Sequence, residues 1–273
     1  MIEVKNLVKT FIDGDKETRV LKGVDFVAKE GEFIAIMGRS GAGKSTFMYQ
    51  VSLLDEPTFG EIIIDGKNTH TMSADNKTDF RLSTLGYVFQ DYALLPDLTA
   101  LENVALPLLM QGKDKEHAYA EARRSLERVN LGHRLDNLPS QLSGGEQQRV
   151  SISRAIAHSP RILFADEPTA NLDRASSETI INIFKELHKE GQTIIMVTHE
   201  DDYAKLTDRI ITLSDGKIIN DKQLKEDEII AFTWNRFIHN PKLSYYPLHI
   251  PMAVAAQQAM TVAQNILRQH HIN

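Results

Sequence analysis

Short apolar runs separated by a helical pattern predict an α/β protein. Continuous apolar runs occupy Phe33–Met37, Arg161–Ala165 and Thr193–Val197, the pattern of parallel strands covered on both faces. Between the last two runs, 175–190 carries apolar residues at helical spacing and ends at Gly191. The residues expected to face inward on this helix are Ile180, Phe184 and Leu187.

Other segments show strand patterns bounded by turn residues. In residues 2–31 apolar and polar positions alternate, which predicts β structure. Asp-Gly pairs at 65–66 and 215–216 predict turns in two later strand segments. The strands predicted in this way are 2–4, 24–27, 60–67, 85–89 and the hairpin 210–219.

Residues 91–158 differ from the segments on either side. Leu101–Met110 and Glu116–Val129 predict helices, so this block is interpreted as a mostly helical subdomain inserted into a sheet domain at 1–224. The remaining 225–273 form an extension of unassigned role, in which Ala253–Arg268 predicts a helix. Its four histidines do not have a recognised metal-ligand spacing, which favours solvated side chains over a metal site.

Composition narrows the classes of function. The 273 residues are 42% apolar and 25% charged, as in an ordinary globular protein. The formal net charge of −6 gives no support for a nucleic-acid partner, and the absence of cysteine excludes disulfides and thiol catalysis. The first residues lack a signal-peptide layout, and no apolar run approaches the ~20 residues that span a bilayer. Any membrane role is therefore expected to require a partner.

A glycine-rich loop follows the first apolar run and precedes a segment that can begin a helix. Its residues are Gly38, Arg39, Ser40, Gly41, Ala42, Gly43, Lys44, Ser45 and Thr46. They fit the phosphate-binding pattern of a glycine, four variable residues and Gly-Lys-Ser. The glycines leave backbone N–H groups open to phosphate oxygens, Lys44 adds a positive charge, and Ser45 offers a hydroxyl to Mg²⁺. Because strand, loop and helix occur in order, a phosphate site is favoured over a chance glycine-rich turn.

Two adjacent carboxylates, Asp166 and Glu167, follow the apolar run that ends at Ala165. Parallel sheets bind ligands beyond the carboxyl ends of their strands. Asp166 is therefore interpreted as a ligand of Mg²⁺, directly or through water, and Glu167 as the base that polarises a water for attack on the γ-phosphorus. An acidic pair at a strand end is most often simply solvated, but the preceding phosphate loop favours the functional interpretation.

A second glycine pair lies in the segment Leu142–Arg149. Ser143 and Glu146 form the capping box with which any helix can begin. A capping box alone does not explain Gly144 and Gly145, since glycine is a poor helix former. Two glycines at a helix N-terminus leave backbone N–H groups bare, which suits a second phosphate contact.

With these motifs in this order, residues 1–224 resemble the ATP-binding subunit of an ABC transporter. The resemblance implies a P-loop NTPase fold with a mixed central sheet, an antiparallel β subdomain and the inserted helical subdomain. It also implies ATP and Mg²⁺ as cofactors and a head-to-tail homodimer, or a pair with a related subunit. In such a dimer Ser143, Gly144 and Gly145 would contact ATP held by the loop of the second copy.

The resemblance also implies roles for single residues. Phe11 lies where the family places an aromatic ring, more often tyrosine, against adenine; a core phenylalanine is the alternative. Gln90 corresponds to the glutamine that touches Mg²⁺ and the attacking water and senses the membrane subunit. Asp173 corresponds to the acidic residue that crosses the dimer interface, and His199 to the histidine that contacts the γ-phosphate. Arg39 stands where many relatives have proline.

Within the family, Tyr87–Gln90 and Leu94–Val104 are similar to the lipoprotein-release, macrolide-export and cell-division type. The resemblance implies an ATPase at the cytoplasmic face of the membrane that powers a separate permease through ATP-driven dimerisation. The alternative is a soluble ABC-type ATPase acting on DNA or the ribosome, which usually carries two cassettes or a long coiled-coil insertion, and this chain shows neither. A scaffold that only binds is disfavoured by intact Glu167 and His199.

Overall fold

The computed structural model describes residues 1–224. The extension at 225–273, with its expected helix at Ala253–Arg268, lies outside the described residues. The division into a domain at 1–224 and an extension therefore stays a prediction.

Ten strands and seven α-helices make up the described part of the chain. The strands are β1 (Ile2–Asp13), β2 (Lys16–Ala28), β3 (Phe33–Met37), β4 (Phe59–Ile64), β5 (Lys67–Asn68), β6 (Leu85–Val88), β7 (Ile162–Asp166), β8 (Thr193–Val197), β9 (Arg209–Ser214) and β10 (Lys217–Gln223). The helices are α1 (Lys44–Val51), α2 (Ala74–Thr84), α3 (Ala100–Met110), α4 (Lys115–Arg128), α5 (Gly144–Ile156), α6 (Arg174–Lys189) and α7 (Asp201–Ala204). Single 3₁₀ turns occur at Thr69–Thr71 and Pro139–Gln141.

The central sheet has six strands in the order β10-β9-β3-β8-β7-β6. All neighbours from β9 to β6 are parallel, and only β10 runs antiparallel, to β9. Every residue of β7 and β8 is buried, as their continuous apolar sequences predict. Because β3, β7 and β8 are parallel, the segments that follow them emerge at the same edge of the sheet, and these segments carry the predicted site residues.

A second, antiparallel sheet of four strands has the order β2-β1-β4-β5. Helix α1 packs between the two sheets, and one continuous core contains residues of both together with Phe47 and Met48 of the helix. The Phe47 ring meets Phe26 of β2 edge-on, with 5.3 Å between ring centroids. This packing fixes the helix whose first turn begins at Lys44, and with it the end of the glycine-rich loop.

Helices α3, α4 and α5 share a core of their own, which includes Val104, Leu126 and Val150. Helix α5 also places Ile152 and Ala155 in a core with α6, β7 and β8, so it joins the helical block to the central sheet. Among the described residues, no helix is long and apolar enough to cross a membrane.

The sequence patterns missed helix α2 and the length of the first hairpin. Helix α2 has the polar sequence ADNKTDFRLST and buries only Phe80, so it has no apolar stripe to detect. Strands β1 and β2 continue to the turn between Asp13 and Lys16 through several register shifts, which interrupt the simple alternation.

Candidate active site

The glycine-rich loop leaves β3 with its glycines in conformations that other residues rarely adopt. Gly38 has φ of 152°, and a Cβ atom there would lie 2.2 Å from the carbonyl oxygen of Leu213. Gly41 has φ of 78°, but a Cβ atom there would meet nothing within 4 Å. The first glycine is therefore required by the fold, while the second leaves space open beside the backbone. Arg39, Ser40 and Gly41 form the exposed rim of the loop.

Lys44 begins helix α1 with its side chain only 7% exposed. Its Nζ donates hydrogen bonds to the backbone oxygens of Gly38 (3.0 Å) and Arg39 (3.3 Å). The same ammonium lies 3.8 Å from Oε1 of Glu167. It is thus held over its own loop, next to the carboxylate predicted to act as base.

Asp166 is the last residue of β7 and is 5% exposed. Its Oδ1 accepts a hydrogen bond from Ser45 Oγ at 3.2 Å, and its Oδ2 accepts one from Tyr87 Oη at 3.5 Å. Burial raises the pKa of Asp166, and the neighbouring charge of Glu167 acts in the same direction, while the hydrogen bond from Ser45 opposes it. A buried carboxylate next to a hydroxyl is an oxygen donor set whose charge a divalent cation would compensate, so Ser45 and Asp166 fit Mg²⁺.

Within residues 1–224, no group of three or more acidic, histidine or cysteine side chains could hold a metal ion. This finding agrees with the way Mg²⁺ binds in nucleotide sites, where one or two carboxylates act together with phosphate oxygens.

Glu167 follows directly and turns away from the strand, with φ of 43°. Its backbone N–H donates to the Val197 oxygen at 3.0 Å, which keeps the residue beside the end of β8. Its Oε2 lies 3.3 Å from Nδ1 of His199, while its Oε1 faces Lys44. The structure therefore brings Lys44, Glu167 and His199 together from three separate segments.

Gln90 lies just past β6 with its side chain exposed, and its backbone oxygen accepts a hydrogen bond from Asn171 Nδ2 at 3.2 Å. Asp173 caps helix α6, accepting from the Ser176 N–H at 3.0 Å and from Ser176 Oγ at 2.8 Å. These bonds from Ser176 lower the pKa of the exposed Asp173 carboxyl. Asp173 thus has a local role in the chain besides the one that the family resemblance implies.

The second glycine pair lies at the N-terminus of α5. Ser143 and Glu146 form the expected capping box: Glu146 N–H donates to Ser143 Oγ at 3.3 Å, and Ser143 N–H donates to Glu146 Oε2 at 2.9 Å. Within residues 1–224, no hydrogen bond or ion pair joins this helix end to the loop at 38–46.

The same glycines are closely packed, which sequence reasoning missed. A Cβ atom at Gly144 would lie 2.9 Å from Tyr92 Oη, and one at Gly145 would lie 2.7 Å from Ser176 Oγ. The pair therefore also lets α5 approach the segment after Gln90 and the first turn of α6.

Phe11 lies on β1 and is 47% exposed, with the Lys9 ammonium 5.1 Å from the centroid of its ring. The ring is therefore not part of the core, which removes the alternative considered from the sequence. Sequence reasoning did not predict Tyr87 as a site residue. The signal that could have indicated it was its position near the end of an apolar strand.

A phosphate-binding loop between a buried parallel strand and a helix, with an acidic pair ending a neighbouring strand, defines a P-loop nucleotide-binding domain. The family model described as ABC transporter matches residues 21–170. The chain belongs to this family, and the predicted fold class and ATP-binding, ATP-hydrolysing function within transport complexes are confirmed. A second model, described as PhoPQ-activated pathogenicity-related protein, matches 162–273, less than half of the chain.

Curated relatives align with most of this chain. An uncharacterized ABC transporter ATP-binding protein of Methanocaldococcus jannaschii is 48% identical over 219 residues, which cover 80% of this chain and 98% of that protein. The lipoprotein-releasing system ATP-binding protein LolD of Shewanella frigidimarina is 43% identical over 79% of this chain and 91% of its own length. The macrolide export ATP-binding/permease protein MacB of Chlorobium luteolum is 45% identical over 82% of this chain, but the alignment spans only 33% of that protein.

Solved structures lead to the same family assignment. The ATP-binding cassette MJ0796, in a dimeric post-hydrolysis state bound to ADP and Pi, matches with a TM-score of 0.78 and 41% identity, over 82% of this chain and 99% of that one. A dimeric structure of the same cassette, described as a bacterial ABC transporter cassette, matches with a TM-score of 0.78 and 42% identity.

Proposed function

We propose that this chain binds ATP with Mg²⁺ and hydrolyses it as a head-to-tail dimer of two copies, thereby powering a separate membrane permease. The observation that carries the proposal is the convergence of Lys44, Glu167 and His199 beside the glycine-rich loop. A cation, a carboxylate and a hydrogen-bond donor are the groups that hydrolysis of a phosphoanhydride requires.

The loop is the binding element. Backbone N–H groups of the glycine-rich turn and the N-terminus of α1 receive the phosphates, since both favour negative charge. Lys44 exchanges its contacts with the loop oxygens for phosphate oxygens, and the exposed Phe11 offers its ring to the adenine.

Ser45 and Asp166 would hold Mg²⁺, with Gln90 as a further oxygen donor. When bound, the ion supplies positive charge to the β- and γ-phosphates. The Asp166 carboxylate accepts a hydrogen bond from Ser45 on one oxygen and from Tyr87 on the other. These two bonds fix its orientation.

Glu167 acts as the base that accepts the hydrogen bond of the attacking water, with Gln90 beside that water. His199 and Lys44 flank its two oxygens, at 3.3 and 3.8 Å, and so limit the directions in which the carboxylate can point. His199 can also donate to the γ-phosphate, because an imidazole ring has a nitrogen on each side.

The dimer is proposed because, among residues 1–224, no hydrogen bond or ion pair joins the N-terminus of α5 to the glycine-rich loop. The N–H groups at the N-terminus of this helix would suit an anion held by a second copy, and the exposed Asp173 lies close by through Ser176. The cassette structures of a relative, 41% and 42% identical to this chain, are dimeric, which supports a dimer of this chain.

The proposed partner is an integral membrane permease, which would hold this chain at the cytoplasmic face of the membrane. One relative is named for a lipoprotein-releasing system, and another combines an ATP-binding part with a permease in one chain. The present chain would supply the ATP-binding part to such a permease.

Glu167→Gln tests the assignment, with Glu190→Gln as control, since Glu190 is a surface carboxylate paired with Arg128. The Glu167 variant should bind ATP as the wild type does, hydrolyse it at least about a hundredfold more slowly, and elute as a dimer with MgATP. The Glu190 variant should hydrolyse ATP at the wild-type rate and, like the wild type, elute as a monomer without nucleotide. Near-normal hydrolysis by the Glu167 variant would show that this residue is not the base, and a ribosomal or DNA partner recovered from cells in place of a permease would contradict the transport role.

A further inference from the structure

The segment after Gln90 has an unusual backbone. Tyr92 and Ala93 are consecutive residues with φ of 65° and 48°. Both have a Cβ atom, which disfavours the left-handed conformation, and two such residues in succession are rarer still. Local sequence preference does not hold this turn, so its shape depends on contacts from elsewhere in the chain.

Arg154, in the last turn of α5, provides those contacts. Its Nη1 donates to the Ala93 oxygen at 2.6 Å, and its Nη2 donates to the Tyr92 oxygen at 2.9 Å. Partial burial lowers the pKa of the Arg154 guanidinium, and its hydrogen bonds go to these two backbone oxygens. A half-buried guanidinium whose hydrogen bonds go to two neutral backbone oxygens gives up part of its hydration to hold this turn.

Two further contacts tie the same turn to the proposed site. Asn171, just before Asp173, donates to the oxygen of Gln90 at 3.2 Å. The Tyr92 ring reaches the opposite end of α5, where its hydroxyl packs over Gly144. The segment after β6 is therefore bound to both ends of the helix that carries the second glycine pair.

We propose that Arg154 is a positioning residue: it holds the Tyr92–Ala93 turn in its left-handed shape and thereby places Gln90 for hydrolysis. The inference rests on the role proposed above for Gln90. A consequence is that the segment after Gln90 stays joined to the helix that carries the glycine pair, because Arg154 of α5 binds the Tyr92–Ala93 turn.

The test compares Arg154→Met with the double variant Arg154→Met/Ala93→Gly, and uses Ala93→Gly alone as control. Methionine removes both hydrogen bonds but keeps an unbranched apolar stem. Glycine adopts the left-handed conformation without the Cβ penalty, so it should restore the turn when the clamp is missing. A residue that merely stabilised the packing of α5 would not be rescued by glycine at a different position.

Two readouts are measured on the full chain: kcat and KM for ATP, and amide hydrogen exchange over residues 91–95 without nucleotide. Arg154→Met should speed the exchange and lower kcat by about tenfold or more, since small displacements of positioning groups are costly, while KM for ATP changes by less than about threefold. The double variant should recover at least about a third of the lost turnover, and Ala93→Gly alone should behave as wild type.

Two results would overturn the inference: normal amide exchange in Arg154→Met, or a loss of turnover that Ala93→Gly does not restore although the protein is folded. Neither result would affect the proposed function as long as the wild type hydrolyses ATP. A rise in KM without a fall in kcat would overturn the inference equally, since it would place Arg154 in nucleotide binding. Absence of hydrolysis by the wild type would instead remove the proposed function, and the role of Arg154 with it.

Discussion

Gly38→Ala should destabilise the protein far more than Gly41→Ala, although both lie in the same loop. Gly38 has φ of 152°, and its added Cβ would meet the Leu213 oxygen at 2.2 Å and the Ala42 Cβ at 3.3 Å. The Leu213 oxygen belongs to the backbone of β9, which is paired on both sides by β3 and β10, so it cannot move without disturbing the central sheet. Gly41 has φ of 78° but open space around its Cα atom.

The magnitudes follow from these two environments. At Gly38 the backbone strain costs about 2 kcal/mol and the forced displacement about 2 kcal/mol more, a total near ~4 kcal/mol. At Gly41 only the conformational preference is lost, about 1 kcal/mol. For a domain of this size each kcal/mol lowers the Tm by about 2–4 °C, which predicts a loss of about 8–16 °C against about 2–4 °C.

Thermal and urea unfolding of the two variants without nucleotide provide the assay. ATP affinity is a poor discriminator because a change in affinity would not separate the cost of folding from the cost of binding. Equal losses of stability in the two variants would refute the reasoning, since they would mean that the contact with Leu213 is relieved at no cost. A larger loss at Gly41 would show that the open side of the loop is closed in solution.

Two further predictions concern ion pairs away from the site. His188, in α6, lies 3.2 Å from Asp208; this hydrogen bond raises the pKa of His188, and the pKa of Asp208 is lowered although burial opposes that shift. Because the folded pKa of His188 exceeds its unfolded value of about 6.5, its stabilisation is complete below about pH 6.5 and is lost as the pH rises through the folded value. His188→Gln should therefore lower the free energy of urea unfolding by about 1 kcal/mol at about pH 6 and by less at about pH 8.5, and a pH-independent difference would contradict this. Arg209 binds both oxygens of Asp221, at 2.6 and 2.7 Å, and approaches the buried Glu32 at 3.3 Å. Arg209→Met should cost about 3 kcal/mol because it leaves the buried Glu32 carboxylate without its cationic partner. Glu32→Gln in that background should recover part of the loss, and strictly additive effects in the double-mutant cycle would exclude the coupling.

The elements that the sequence predicted well are those with a strong period or a long apolar run. Strands β7 and β8 are buried at every residue, and α6 buries one stripe that includes Ile180, Phe184 and Leu187. Helix α2 escaped prediction because a helix that covers the core with one phenylalanine has no stripe. Its first turn is instead set by Ser73, which caps the Asn76 amide, a signal too common to be decisive alone.

Motifs in the sequence were enough to propose site residues, but not to predict the contacts between them. Tyr87 approaches Asp166 from 79 residues away, and Arg154 reaches Tyr92 across 62 residues. Sequence spacing predicts neither contact, because each contact depends on which strands and helices become neighbours in the fold. The glycine pair at Gly144 and Gly145 was interpreted only as bare N–H groups for the same reason: its neighbours Tyr92 and Ser176 come from distant segments.

The conformation of Glu167 explains how two adjacent carboxylates can act on one loop. In a strand, successive side chains point to opposite faces, so a continued β7 would send Glu167 away from the side that Asp166 occupies. The left-handed turn at Glu167, with φ of 43°, ends the strand and redirects the side chain. As a result Asp166 contacts Ser45, while Glu167 contacts Lys44, which directly precedes Ser45 in the chain. Such a conformation costs about 1–3 kcal/mol, and the bond from Glu167 N–H to Val197 helps to hold it. The strain at this one residue therefore allows the two carboxylates, proposed as metal ligand and base, to follow each other directly in the sequence.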